Sequence, residues 1–458
     1  MKKQVGVTLL GLVVGGATAA VAGENWPQWR GPNLDGTTSE LNLPTTWSAT
    51  DNVSWTLEVS EGAWTGATPI VWEDTIFLSV SYLERTSTRF GRRFGRRGRR
   101  DGASRAVAPA RRAPENSDSQ HVELWRVNRR DGTVVWKRFL SDNDRQQRKQ
   151  NMSSPSPVTD GEHVWVMTGT GWLRAFDFDG TEVWARNISD EYWSFGLNWG
   201  FASSPLLYED ALYVQVLHGM RTDDPSYVLR IDKMTGETVW MVERPTDAQR
   251  ESPDSYTTPA LLRYDGTAEI VITGGDVVTG HDLETGAELW RADGLNPRNN
   301  GAYRLIASPL VVGETIIAPT RVRPMLALQA GGRGDVTTSH RLWSFDDGPD
   351  VPTPVSDGEL LYVVQDNGVV HAIDLITGDP VYTNERIEPG TYSASPILAD
   401  GKIYATSEDG ATTVYRAGRK FEILATNTLP GYTLSTPSVA GGQLYIRAGS
   451  TLYAIGLE

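Results

Sequence analysis

The chain contains no cysteine, and that absence removes disulfides, thiolate metal ligands and a cysteine nucleophile together. It also removes the acylated cysteine that a bacterial lipoprotein anchor requires. Histidine is scarce. The six residues His121, His163, His218, His281, His340 and His371 are scattered, and none stands in a His-Glu-x-x-His pair or another metal-binding spacing. No Gly-x-Ser-x-Gly elbow is present, which withdraws support for a hydrolase of that class. Gly331-Gly332-Arg333-Gly334 is glycine-rich but precedes no helical pattern, so a loop is expected there rather than a phosphate cradle. After residue 22, no stretch approaches the about 20 apolar residues that a membrane helix needs. No catalytic residue and no metal site are assigned.

The first 22 residues read as a secretory signal. Lys2 and Lys3 supply the positive start, Val5 to Val14 the apolar run, and Ala20-Val21-Ala22 the small-residue cleavage site. Cleavage after Ala22 is expected to leave a soluble mature chain in the periplasm or outside the cell. Charge is unevenly spread along it. The whole chain carries −14, yet residues 85–112 hold eleven arginines against Asp101 alone. This arginine-rich insertion, 84–120, combines like-charge repulsion with low apolar content and is expected to be disordered. Arg92, Arg93, Arg96, Arg97, Arg99 and Arg100 are its candidates for an anionic partner. Secretion makes nucleic acid an unexpected partner, and a monomer is expected.

The dominant signal is a repeat. A Ser/Thr-Pro pair followed by a short apolar run recurs at Pro69, Pro157, Pro205, Pro259, Pro309, Pro354, Pro396 and Pro437. Recurrence at about 40 to 50 residues marks a stacked or radial repeat architecture. The cleanest unit starts at Pro354. Val355 and Ser356 lead to the turn Asp357-Gly358, then the β-rich run Leu360 to Val364, the turn Asp366-Asn367-Gly368, the run Val369 to Ile373, and a turn from Asp374 to Gly378 before Pro380 to Tyr382. Four strands joined by tight turns make one blade of a β-propeller.

The late phrase, Asp to aromatic, runs Asp177 to Trp184, Asp232 to Trp240 and Asp282 to Trp290, with Asn128 to Trp136 in the first unit and Trp343 surviving in the fifth. In the seventh, Phe421 is the expected substitute. Each aromatic is expected to plug the gap to the next blade. The eighth unit stops after its third strand, Leu452 to Ile455, while Asn52 to Leu57 forms an orphan strand carrying Trp55. The expected fold is therefore all-β: an eight-bladed β-propeller of four-stranded antiparallel blades, closed by the N-terminal strand. A single domain, 23–458, is expected. Residues just before each Ser/Thr-Pro pair should gather at one mouth of the central channel. Trp64, Trp199, Tyr256, Tyr303, Arg304, Tyr392 and Tyr432 form that candidate ligand-binding set, because aromatics with a cation suit a flat or sugar-like ligand.

Ala175-Phe176-Asp177 through Trp184, and Ala372-Ile373-Asp374 through Gly378, resemble the pyrroloquinoline-quinone (PQQ)-like β-propeller repeat family, over essentially the whole mature chain. Trp26-Pro27-Gln28-Trp29-Arg30-Gly31-Pro32-Asn33 with Gly36, and the stretch from Tyr415 to Asn427, resemble a secreted bacterial subgroup of it. The resemblance implies one of two roles. One is a quinone-dependent alcohol or sugar dehydrogenase holding PQQ with Ca²⁺ on the propeller axis. The other is a non-catalytic scaffold. The disulfide that lies against the cofactor in many of those dehydrogenases cannot exist here. The expectation is a non-catalytic binding or scaffold propeller for a protein or polysaccharide partner, without a cofactor. A PQQ-dependent dehydrogenase is the alternative.

Overall fold

The computed structural model describes residues 25–59, 65–83 and 120–456. The signal segment, Trp64 and the arginine-rich insertion up to residue 119 lie outside the described residues. Eight antiparallel sheets follow one another along the chain and form the blades of a propeller. Blades one to seven span residues 70–142, 158–187, 206–243, 260–292, 310–345, 355–386 and 397–428. Blade eight combines 438–455 with Val53–Glu58, which pairs with Thr451–Ile455 and closes the ring. The strands of blade six are Val355–Ser356, Leu360–Val364, Val369–Asp374 and Pro380–Arg386, as the repeat predicts. Among the described residues the helical content is the single turn Ile188–Glu191, and no helix is long and apolar enough to cross a membrane.

Second and third strands are covered on both faces by neighbouring blades, so they read as nearly unbroken apolar runs. Leu360–Val364 is buried throughout, whereas the outer strand Val53–Glu58 alternates half-buried and exposed. The turn chemistry is local. Asp357 Oδ1 accepts the N–H groups of Glu359 and Leu360 at 2.9 and 2.7 Å, and Gly358 supplies the positive φ.

The tryptophan half of the repeat docks each blade on the next. The indole N–H groups of Trp55, Trp136, Trp184, Trp240 and Trp343 donate at 2.8 to 3.0 Å to the carbonyls of Arg129, Phe178, Lys233, Leu283 and Leu375. Each acceptor is the residue after the Asp or Asn that opens the turn of the following blade. The turn's glycine lies against the ring: a Cβ at Gly132, Gly236, Gly286 or Gly378 would collide with Trp55, Trp184, Trp240 or Trp343. Blade five lacks that turn, and Trp290 donates instead to Glu269 of its own blade at 2.7 Å. The glycine-rich loop of blade five folds back here. Gly334–Asp335 adds a fifth, parallel strand to blade four, and Arg333 pairs with Glu269 at 3.0 Å.

Phe421 does not take the tryptophan place of blade seven. Ala425 does, opposite Val414 at the register that Trp184 holds against Ala175. Phe421 packs instead toward blade six, on Tyr382 at 5.7 Å. The apolar surface left beside Ala425 belongs to the core that buries Trp47 of the N-terminal segment, which stacks on Tyr404 at 6.3 Å.

The Ser/Thr half of the repeat forms a second, inner ring. The backbone N–H of each phrase residue donates to the hydroxyl of its counterpart in the next blade, from Thr68 through Ser156, Ser204, Thr258, Ser308, Thr353 and Ser395 to Thr436, at 2.8 to 3.1 Å. Only the step from Thr436 back to Thr68 lacks the bond among the described residues, and the Thr68 hydroxyl is buried without a partner there. Below this belt the N-terminal segment crosses the ring. Trp26 bridges Val71 of blade one, Pro27 accepts from Thr159 of blade two, and Gln28 exchanges bonds with Leu207 of blade three. Buried Arg30 then donates to the carbonyls of Pro354 and Pro396, in blades six and seven, at 2.7 and 3.0 Å. Burial pulls its guanidinium down to about 10, still charged at neutral pH.

Trp343→Ala, which removes a buried ring and its bond to blade six, is expected to lower unfolding free energy by about 3–5 kcal/mol. Gly378→Ala should cost clearly more than Gly313→Ala in denaturant unfolding. Both sites have positive φ, but only Gly378 faces an indole, whereas the space around Gly313 is open. Equal costs at the two glycines would contradict the docking role.

Candidate functional site

The belt and the N-terminal segment together form the lower wall and floor of a cavity on the propeller axis. Seven belt residues, Ser156 to Thr436, line it, and Trp29 reaches it from the N-terminal segment beneath. Its volume is about 480 Å³, within the roughly 300–1,000 Å³ range of small-molecule sites. The upper wall comes from the loops that enter the inner strands, from the loops between the second and third strands of blades five and six, and from the loop 147–150 after blade one. Those loops bring Arg148, Lys149, Trp199, Tyr256, Arg304, Arg321, Asp350 and Asp366 into one funnel.

Most of these charges are matched in place. Arg321 Nη1 lies 2.9 Å from Asp350 Oδ2, Lys149 Nζ 2.5 Å from Glu408 Oε1, and Arg304 Nε 3.5 Å from Glu251 Oε1. Glu251 also accepts the Trp199 indole N–H at 2.6 Å, and Glu408 accepts the Tyr432 hydroxyl at 3.0 Å. Asp366 Oδ1 takes the N–H groups of Asp350 and Val351 at 3.0 and 3.2 Å. Burial raises the carboxyls of Asp350 and Asp366 above the usual range; nearby cations oppose this at Asp350, while the Asp350 charge adds to it at Asp366. Arg148 lies over the Trp199 ring at 5.0 Å to its centroid and, among the described residues, has no carboxylate within salt-bridge distance.

Trp199 is held from behind. Buried Asp254 accepts the N–H of Asn198 at 2.7 Å and those of Gly219 and Met220 at 3.0 Å each. Burial lifts this carboxyl to about 6, although the three bonds act against the shift. The Tyr256 hydroxyl accepts the N–H of Trp199 itself at 3.0 Å.

Of the predicted mouth residues, Trp199, Tyr256 and Arg304 line the cavity. Tyr303 and Tyr432 contact its wall, through Arg321 at 5.2 Å and through Glu408. Tyr392 does not reach it. Its ring is fully buried in the core of blades six and seven, and its hydroxyl donates to the Glu388 carbonyl at 2.6 Å. Trp64, Arg92, Arg93, Arg96, Arg97, Arg99 and Arg100 lie outside the described residues. Asp350 also lines the cavity and stands just before Thr353-Pro354, a position that the rule selects only for aromatics and a cation. The predicted set omits Trp29 and the belt hydroxyls although both belong to phrases visible in the sequence. Arg148, Lys149 and Arg321 carry no signal in the repeat, and Asp366 is marked there only as the start of the turn Asp366-Asn367-Gly368.

A calcium ion takes about six to eight oxygen ligands. The lining carboxylates here are Asp350 and Asp366, one paired to an arginine and the other holding backbone N–H groups, beside four cationic side chains. Among the described residues no group of three or more His, Asp or Glu side chains is placed to hold a metal. That donor set does not suit a calcium-bound quinone.

A family model described as outer membrane protein assembly factor BamB matches residues 122–384 and 333–420. Among solved structures the chain is similar to BamB from Moraxella catarrhalis, at 16% identity and a TM-score of 0.53, over 71% of this chain and 89% of that one. It is also similar to a europium-containing methanol dehydrogenase, at 10% identity and a TM-score of 0.66, over 94% and 90% of the two chains. A quinohemoprotein alcohol dehydrogenase from Comamonas testosteroni aligns at 11% identity and a TM-score of 0.56, over 95% and 81%. At these identities the likeness is one of fold. No curated protein matches the chain.

The raised Asp254 carboxyl gives the Trp199 support a pH signature. Because its folded value of about 6 exceeds its ordinary 3.8, the folded chain binds this proton more tightly than the unfolded chain does. Its stabilising contribution is complete below about pH 4 and is lost as pH rises through about 6. Asp254→Asn is expected to remove that slope, so the stability difference between wild type and variant should change across this window and be flat above it. A difference constant from about pH 4 to 8 would contradict the assignment.

Proposed function

The chain belongs to the propeller family whose model is described as outer membrane protein assembly factor BamB, and from that premise we propose a secreted, non-catalytic binding module. The open mouth of the axial cavity is the surface it presents to a protein or polysaccharide partner. The observation that carries this reading is the pairing of the funnel's polar groups with one another. Asp350 holds Arg321, Glu251 holds Arg304 and Trp199, and Glu408 holds Lys149 and Tyr432. Such a wall is preorganised for recognition, because its side chains are fixed before a partner arrives. Catalysis by a belt serine would need a base within hydrogen-bond reach of the hydroxyl. Each belt serine hydroxyl instead receives a backbone N–H, and no histidine lines the cavity among the described residues. The assembly-factor description of the matching family agrees with a binding role.

The test is reconstitution. Purified mature protein is mixed with PQQ and Ca²⁺ and assayed for dye-linked oxidation of alcohols and sugars, with binding followed by calorimetry. No turnover is expected. Tight quinone binding accompanied by turnover would overturn the binding-module reading in favour of a quinoprotein dehydrogenase.

A further inference from the structure

The hydrogen-bond balance of the cavity is one-sided. Each belt hydroxyl that faces it, from Ser156 to Thr436, is used once, as the acceptor of a backbone N–H from the preceding blade. A hydroxyl is both donor and acceptor, and none of these seven has an acceptor for its own hydrogen among the described residues. The floor is therefore a ring of hydroxyl donors. At the mouth Arg148 adds a guanidinium whose flat face is taken by Trp199 and which, among the described residues, has no carboxylate within salt-bridge distance, Asp350 acting on it only from farther off. Its N–H edges remain free for a bidentate acceptor. Acceptors on the wall are fewer, and those of Asp350 and Asp366 are partly committed.

A ligand that completes this balance is rich in oxygen acceptors and carries a carboxylate. It also has an apolar face, since the Trp29 ring is half-buried at the floor and open to the cavity. Inorganic anions fail on two counts: they have no apolar face, and the volume of about 480 Å³ far exceeds them. Sugar acids meet all three requirements, because a pyranose ring offers C–H groups on its face and oxygens around its edge.

We propose that the axial cavity binds a uronic-acid residue of an acidic polysaccharide, its carboxylate on Arg148, its ring face on Trp29 and its oxygens over the belt hydroxyls. This rests on the binding-module reading and narrows the partner to one chemical class. The saccharide chain leaves through the open mouth, on whose wall Arg148 and Arg321 are exposed.

The experiment is calorimetric titration of the mature protein with trigalacturonate and with maltotriose as the neutral counterpart. Trigalacturonate is expected to bind, and maltotriose to bind about tenfold or more weakly, because a charge-assisted bond pair is lost. Arg148→Ala should weaken trigalacturonate by a similar factor and leave the melting temperature unchanged, since Arg148 is exposed, its side chain lies on the Trp199 ring, and the bond that Gln146 makes goes to its backbone carbonyl, which the substitution keeps. Trp29→Ala should weaken both sugars. Absence of trigalacturonate binding at millimolar concentration, equal affinity for the neutral sugar, or an Arg148→Ala variant that binds as tightly as wild type would each overturn the proposal. Those results leave a protein partner at the same face open, whereas quinone-dependent turnover would overturn the binding-module reading itself.

Discussion

Everything in this molecule depends on the docking of one blade on the next through a tryptophan. A fully buried aromatic ring removes roughly 150–250 Å² from water, which at ~25 cal/mol per Å² amounts to about 4–6 kcal/mol before entropy is counted; Trp136 and Trp343 approach this, while the half-buried rings of Trp55, Trp184 and Trp240 contribute less. The indole N–H bond adds about 1 kcal/mol net. Burial thus supplies the energy, and the bond supplies the direction. It fixes which carbonyl of the neighbouring turn meets the ring, and so the angle between successive blades. That the turn residue under the ring is glycine at Gly132, Gly236, Gly286 and Gly378 follows from this approach, because any side chain there would occupy the space of the indole.

The places where the docking fails show how strict the constraint is. Blade five has no turn to receive Trp290, and Glu269 receives it, held in place by Tyr264 and by Arg333 from the returning loop. Blade seven has Ala425 where an aromatic is due, and the N-terminal segment brings Trp47 to the same core. The segment that closes the ring through Val53–Glu58 therefore also repairs an interface and, through Arg30, ties blades six and seven together under the axis. One length of chain serves three purposes because the ring leaves its axis and its last blade incomplete.

Much of this was legible in the sequence, and the parts that were not share a physical cause. Strand order, blade number and closure follow from local patterns: Asp357-Gly358 makes its turn with its own neighbours, and Trp55 announces the missing strand. The Ser/Thr of each repeat was visible too, but its partner is the same residue one blade away, a bond that only the closed ring creates. The cavity was harder to read because its ion pairs join distant positions, Lys149 with Glu408 and Arg304 with Glu251. Nothing in one repeat specifies a residue that answers a loop of another blade. Tyr392 fails for the opposite reason. It lies just before Ser395-Pro396, as the rule required, yet its N–H bonds the Asp366 carbonyl and its ring turns into the core rather than the channel.

The account holds that eight repeats form one cooperative ring whose inner belt is preformed, and that the cavity inherits its rigidity from that belt. Residue-resolved amide hydrogen exchange tests this most directly. The amides of Thr68, Ser156, Ser204, Thr258, Ser308, Thr353 and Ser395 each donate across a blade boundary, and they should exchange at one common slow rate set by global unfolding. Thr436, at the boundary without that bond, should exchange faster. Belt amides that exchange blade by blade, at unrelated rates well above that of global unfolding, would contradict it.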